Sequence, residues 1–294
     1  MKTDTRNTHM DTAIAALRSG DAMTAQRHCT EVLKQNANDA EAWSLHGMAL
    51  AQTSHPKAVE ALSNATALEP NEPRWHMHLG LGLQRLGDLP QAAKALMRAV
   101  QISDGQEDTV LAMANVLVQM GQTDRALTVL KTAADKHGAQ SVWLKYADVL
   151  TAANDTLGAV AARETAYAGK DMPRTESLGI ANMHVVLGQY DKAQIYADRL
   201  LVKNPKDAEA VLLSASLMRW QGQLDKAHET LSQAYTRDKN NAAVLLALLD
   251  LNQDDDDGLR GDAQRIIANG TAPAAQRRGL AFVLARRADK AGDY

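Results

Sequence analysis

Cysteine and phenylalanine each occur once in this chain, and proline only seven times. A single cysteine, Cys29, excludes a disulfide framework within the chain and fits a reducing compartment. Aromatic residues make up 4% of the sequence, so a core built on large rings is excluded. No apolar run approaches the length of a membrane span. The N-terminal stretch MKTDTRNTHMDTAIAALRSGDA has no signal-peptide core, so the expected address is cytoplasmic, with no membrane association. The net charge of −3 gives no general attraction to nucleic acid.

Catalytic signatures are missing as well. There is no Gly-rich phosphate loop followed by Lys-Ser or Lys-Thr, no Gly-x-Ser-x-Gly elbow and no His-Glu-x-x-His pair. His76 and His78 stand two apart in "RWHMH", which on a helix turns them to opposite sides, so they form no metal pair. The run "DDDDG", Asp254 to Gly258, fails as a calcium loop, because Gln253 and Gln264 fall where acidic ligands are required. It reads as an inter-helix turn with carboxylates near a helix start. No cofactor is expected. Cys29 reads as a small buried apolar residue rather than a nucleophile. The pairs Arg277–Arg278 and Arg286–Arg287 read as an exposed basic helix face near the C-terminus.

What the sequence does have is alanine in register. Ala25, Ala58, Ala92, Ala126, Ala159, Ala193, Ala227 and Ala263 follow one another at steps of 33, 34, 34, 33, 34, 34 and 36 residues. A second small residue stands twelve before most of them, at Ala13, Gly80, Ala114, Ala147, Ala181 and Ala215; Gly47 stands eleven before Ala58. Each unit reads as helix A, a short turn, then helix B. Gly87, Gly121, Gly188 and Gly222 permit the positive φ that ends helix A. Asp21, Asp88 and Asp155 follow turn positions where a carboxylate can cap helix B. The small residues of helices A and B are expected to face one another, with Leu79, Leu83, Leu86, Leu96 and Val100 packed around one such contact. Pro70 and Pro205 stand just after their helices B, where no helical hydrogen bond is lost.

A unit of this length with Trp43, Gly47, Ala58, Ala65 and Pro70 in "AEAWSLHGMAL…AVEALSNATALEPN" resembles the tetratricopeptide repeat. The next unit keeps Gly80, Gly87, Ala92 and Ala99 but carries its tryptophan one place early, at Trp75; later, Leu200 replaces a small residue and the eighth unit is stretched by two. The resemblance implies an all-α, right-handed superhelical solenoid of about eight units over residues 6–272, with a further helix over 273–294. It also implies a partner along the inner face, contacted from helices A. The stripe six and three residues before each small residue of helix A, and one and four after it, stays on one side of the helix. With adjacent positions it collects Ser44, Met48 and Gln52; Arg74, Met77, Leu81, Gln84 and Arg85; Asn115 and Gln119; then Asp148, Asn182, Ser216 and Arg219. Amides, methionines and arginines suit an extended protein or peptide segment. The Lys–Asn pair by which chaperone-tail-binding members of the family grip a carboxylate is replaced here by Ser44 and Met48, Met77 and Leu81, and Leu111 and Asn115.

Two functions follow. One is a non-catalytic interaction scaffold that binds a protein or peptide in its groove. The other rests on "APAAQRRGLAFVLARRADKAGDY", which is similar to the junction where such repeats precede a sulfotransferase domain in bacterial proteins. The nucleotide loop of that domain is absent from this chain, so it would be the repeat portion of a longer enzyme. Gly292 stands 34 residues after Gly258 and reads as the turn of a ninth unit, with Ala285 at its small position. The helix before it reads either as a cap or as helix A of that unit, whose helix B would pack on the apolar run Leu280 to Ala285.

Overall fold

A computed structural model describes residues 2–251 and 257–291. Gly292 and most of the aspartate run lie outside them. The described residues form helices only, and their contacts fall into two units, 1–168 and 169–294. The first unit holds α1 (Lys2–Ser19), α2 (Ala22–Gln35), α3 (Ala40–Gln52), α4 (Ala58–Leu68), α5 (Pro73–Arg85), α6 (Leu89–Ile102), α7 (Glu107–Gln119), α8 (Thr123–His137), α9 (Gln140–Ala152) and α10 (Thr156–Ala166). The second holds α11 (Arg174–Val186), α12 (Tyr190–Lys203), α13 (Ala208–Trp220), α14 (Leu224–Arg237), α15 (Ala242–Leu251), α16 (Asp257–Asn269) and α17 (Ala274–Ala291).

Local chemistry sets the boundaries. Gly87, Gly121, Gly188 and Gly222 have φ of 85°, 70°, 68° and 77°, the left-handed backbone that ends a helix and frees the chain to turn back. Asn154 takes the same conformation at 62°, which is why an asparagine serves in that turn. The Asp21, Asp88 and Asp155 side chains accept from the amides of Thr24, Gln91 and Gly158 at 3.0, 3.1 and 2.9 Å, capping α2, α6 and α10. Helices α4 and α12 stop just before Pro70 and Pro205.

Within each unit, odd-numbered helices are helices A and even-numbered ones helices B. In the first unit each helix A packs on its own helix B, on the helix B before it and on the next helix A, giving the row α1, α3, α5, α7, α9. The second unit continues the pattern, with α13, α15 and α17 side by side. All eight register alanines of helices B are 0% exposed.

At the two helix A glycines the nearest side chain is the residue one turn after the facing alanine, and Gly80 also lies against Ala92, whose carbonyl a Cβ would approach to 3.2 Å. A Cβ on Gly47 would lie 2.6 Å from Leu62 Cγ, and one on Gly80 would lie 2.4 Å from Leu96 Cγ. Leu62 also fills the space above Gly82 of the next helix A, where a Cβ would come within 2.3 Å of its Cδ1. A fully buried leucine thus interlocks three helices, and a larger residue at either glycine would have to displace it.

In these two pairs the residue four after the register alanine acts as a knob. The series at this position runs Cys29, Leu62, Leu96, Leu130, Arg163, Ala197, Leu231, Ile267. Cys29 holds this position in the first pair. It is fully buried, and that burial pushes its thiol up to about 12. A protonated, enclosed thiol at neutral pH is a packing group.

Candidate partner-binding groove

The second unit presents an open cavity of about 520 Å³ lined mainly by its last three helices A. The helix A small position is Ala215 in α13, and Leu249 takes its place in α15. From each, the predicted stripe leads into the cavity. Leu212, Ser216 and Arg219 line it from α13; Ala243, Leu246 and Asp250 from α15. From Ala285 in α17 the same steps give Gly279 and Phe282, also in the lining.

The groove has two kinds of edge. Leu212, Leu246 and Phe282 occupy one stripe position on successive helices and form an apolar row. Phe282 is 67% exposed, an apolar ring standing open to solvent. Beside it runs a row of charge. Asp250 receives Arg286 Nη2 at 3.0 Å on one oxygen and faces Arg219 Nη1 at 3.7 Å on the other. Arg287 Nη2 donates to the Leu249 carbonyl at 2.5 Å. The sequence predicts Arg286 and Arg287 on an exposed basic face; Arg286 is exposed and Arg287 half-buried, and both tie α17 back onto α15.

In the first unit the predicted stripe is more closed. Ser44 is buried, and its Oγ lies 2.6 Å from His78 Nδ1 on α5. The pair resembles a nucleophile with its base, but the hydroxyl has no access to solvent. Burial pushes His78 down to about 4, with Arg74 adding to the effect, so the ring is neutral at pH 7. His76, on another side of α5, meets the Pro70 carbonyl at 2.9 Å. Gln52 spends its amide on the Leu17 carbonyl at 3.1 Å. Met48, Met77, Leu81 and Gln84 are half-buried, and Met77 and Leu81 pack on the core. Arg74 is exposed, held by Glu72 at 2.8 Å, and Arg85 is exposed on the same helix. Asn115 and Gln119 are exposed on α7. Asp148 accepts Arg163 Nη2 at 2.5 Å, so the arginine at the knob position reaches round to the helix A surface. In the second unit Asn182 is exposed on α11. Of the residues chosen from sequence, Ser216 and Arg219 come together in the cavity.

Leu246, Asp250, Gly279 and Phe282 line the groove, and Arg286 pairs with Asp250 at its edge; the sequence stripe names none of them. The signal for α17 is present, since Ala285 marks its register. The signal for α15 is hidden, because a leucine stands at the small position and the unit is two residues longer.

One further site of polar contacts is built twice. Arg6 binds Asp39 at 2.6 and 3.0 Å and Glu41 at 2.9 Å. Five hairpins later Arg174 binds Asp207 at 2.5 and 2.8 Å and Glu209 at 2.8 Å. In both, the aspartate also caps its helix, accepting from Ala42 or Ala210.

Stacked antiparallel helix pairs with a groove lined by helices A define an all-α repeat protein. Family models sharpen this. Two tetratricopeptide-repeat models match residues 49–107 and 83–149, and the model for anaphase-promoting complex, cyclosome, subunit 3 matches residues 186–255. The chain belongs to the tetratricopeptide-repeat family. A curated relative, cellulose synthase operon protein C of Pseudomonas fluorescens (strain SBW25), is 26% identical over 83% of this chain. The chain spans only 24% of that relative's length. Among solved structures, Naa15/Naa10 bound to HypK-THB aligns with 94% of this chain and 43% of its own, at 14% identity and a TM-score of 0.54. Pseudomonas aeruginosa pilF aligns with 71% of this chain and 96% of its own, at 19% identity and a TM-score of 0.51. These two likenesses are of fold. Among the described residues no helix is long and apolar enough to cross a membrane.

Proposed function

We propose that the chain is a non-catalytic interaction scaffold that holds a protein or peptide partner along its helices A, in the cytoplasm. The observation that carries this reading is the cavity of α13, α15 and α17, where the periodic stripe opens into a groove with an apolar row and an ionic edge. Residues 6–272 form the repeat array in this reading, and 273–294 supply either a capping helix or helix A of a ninth unit. The test is capture of partners from the source lysate by the full chain, repeated with two variant sets. One set is Arg74→Ala, Arg85→Ala and Asn115→Ala together; the other is Phe282→Ser with Arg219→Ala. Loss of a partner from either set supports the groove. Survival of every partner in both sinks it.

A second reading makes the chain the repeat portion of a longer protein, such as an enzyme. It draws on the relative being about four times as long as the stretch it shares with this chain. That relative's name points to a cellulose synthase operon rather than to a sulfotransferase. Sequencing past the codon for Tyr294 tests it: a following catalytic domain supports this reading and an immediate stop codon removes it.

A further inference from the structure

The second-unit groove has a shape and a charge that select among partners. Its floor is made of short side chains, Ser216, Ala243, Ala247 and Gly279, between the walls Leu212, Leu246 and Phe282. A Cβ on Gly279 would lie 2.7 Å from Leu246 Cδ2, so the Leu246 side chain leans over the bare backbone of α17 there. The opening is a recess left by small residues, of a volume that accepts apolar side chains from a ligand.

Among the described contacts at the ionic edge, two guanidiniums, Arg219 and Arg286, meet the same carboxylate, that of Asp250. Each guanidinium carries five N–H donors, and the Arg219 contact at 3.7 Å is too long for a direct hydrogen bond. A second carboxylate at this edge would take up donors that Asp250 leaves over.

We propose that this groove takes an acidic peptide segment, with an apolar side chain in the recess beside Phe282 and a nearby carboxylate on Arg219 and Arg286. The proposal rests on the groove reading above and adds the chemistry of the partner.

The test uses the full chain and three fluorescein-labelled host peptides of Gly, Ser and Ala. Their centres are Leu-Ser-Glu, Leu-Ser-Gln and Leu-Ser-Lys, and binding is read by anisotropy. The Glu peptide is expected to bind at least about tenfold tighter than the other two, a difference of about 1.4 kcal/mol. That preference is expected to shrink as salt is raised. Ala247→Leu fills the recess and abolishes binding; Phe282→Ser weakens it about tenfold. Arg286→Ala removes the preference for Glu while leaving weak apolar binding. Phe282→Ser changes an exposed residue, so it remains informative if Ala247→Leu unfolds. Equal binding of the Glu and Lys peptides overturns the proposal. Tighter binding of the Lys peptide also overturns it. Binding lost only in the Arg74, Arg85 and Asn115 variant overturns it while leaving the groove reading intact. Failure of all three peptides overturns it too, and partner capture then judges the groove reading separately.

Discussion

The two units solve one packing problem with different side chains. In the first, leucine knobs at Leu62 and Leu96 seat against glycines of helices A, and the helix A surface is partly closed by the Ser44–His78 contact and by half-buried Met77 and Leu81. In the second, Ala197 holds the knob position of the first hairpin, Leu249 stands at a small position, and the helix A surface opens at α13, α15 and α17. The repeat constrains the A–B interface tightly, because every register alanine is fully buried there. It constrains the helix A surface loosely. Function in such an array is therefore written where the repeat is least strict.

The largest expected effect tests the knob. Leu62→Ala leaves a hole bounded by three helices and is expected to cost about 3–5 kcal/mol. Hydrogen exchange would report it as lost protection in α3, α4 and α5. Ala197→Gly in the second unit has no leucine to lose and should cost about 1 kcal/mol, the helix penalty of glycine. Equal losses at the two sites would remove the distinction between the units. Exchange is the suitable readout, because a chain of two units is not bound to unfold in one step.

Acid should separate the units further. The His78 ring is held down to about 4 by burial, against 6.5 for a free histidine. The unfolded chain binds a proton between those values and the folded chain does not. Stability from this group is therefore full above 6.5 and declines as pH falls toward 4, by about 3 kcal/mol in all. His46 is shifted down by burial in the same unit and acts in the same direction. In the second unit the buried Ser214 is bonded instead to Gln194 at 2.7 Å, and that pair does not titrate. Protection in α3 and α5 is expected to fall across this pH range, and His78→Gln should flatten the fall. An unchanged slope in that variant would show that His78 does not carry it.

Much of this fold is legible in the amino-acid order alone. The alanine register, the left-handed glycines and the capping aspartates each follow from backbone geometry that one residue type satisfies, so sequence shows them directly. The knob is less legible, because Cys29, Leu62, Arg163 and Ala197 share a position but no chemistry. The stripe is half legible. Its spacing leads to Ser216 and Arg219, yet it also names Ser44, which periodicity alone cannot show to be sealed by His78 from the next repeat. Burial across a helix A row depends on the size of neighbours about 34 residues away. The doubled arginine clamp escapes a reading by register although both copies carry Asn-x-x-Asp-Ala-Glu-Ala, at Asn36–Ala42 and Asn204–Ala210, because the arginine lies one repeat upstream.

That clamp supplies the one comparison in which the units should agree. Asp39 and Asp207 are both almost fully covered, and each joins an arginine of one helix A to the start of the next. Burial alone would push Asp39 up, but the bonds from Arg6 and the Ala42 amide outweigh it and hold the carboxyl below its usual range. The Arg174 bond, with the Ala210 amide, does the same for Asp207. A depressed carboxylate stabilises the fold above its unfolded value and ceases to do so as pH falls through the lower folded value. Asp39→Ala and Asp207→Ala are each expected to cost about 1 kcal/mol at neutral pH, chiefly as lost helix caps. The two should match within a few tenths, and the cost of each should fade only in acid below about pH 4. Asp→Asn keeps a cap but drops the charge, so it separates the two contributions. If Asp39→Asn is as damaging as Asp39→Ala, the ion pair rather than the cap holds the repeats in register there. The same pair of variants at Asp207 then shows whether the second unit relies on it equally.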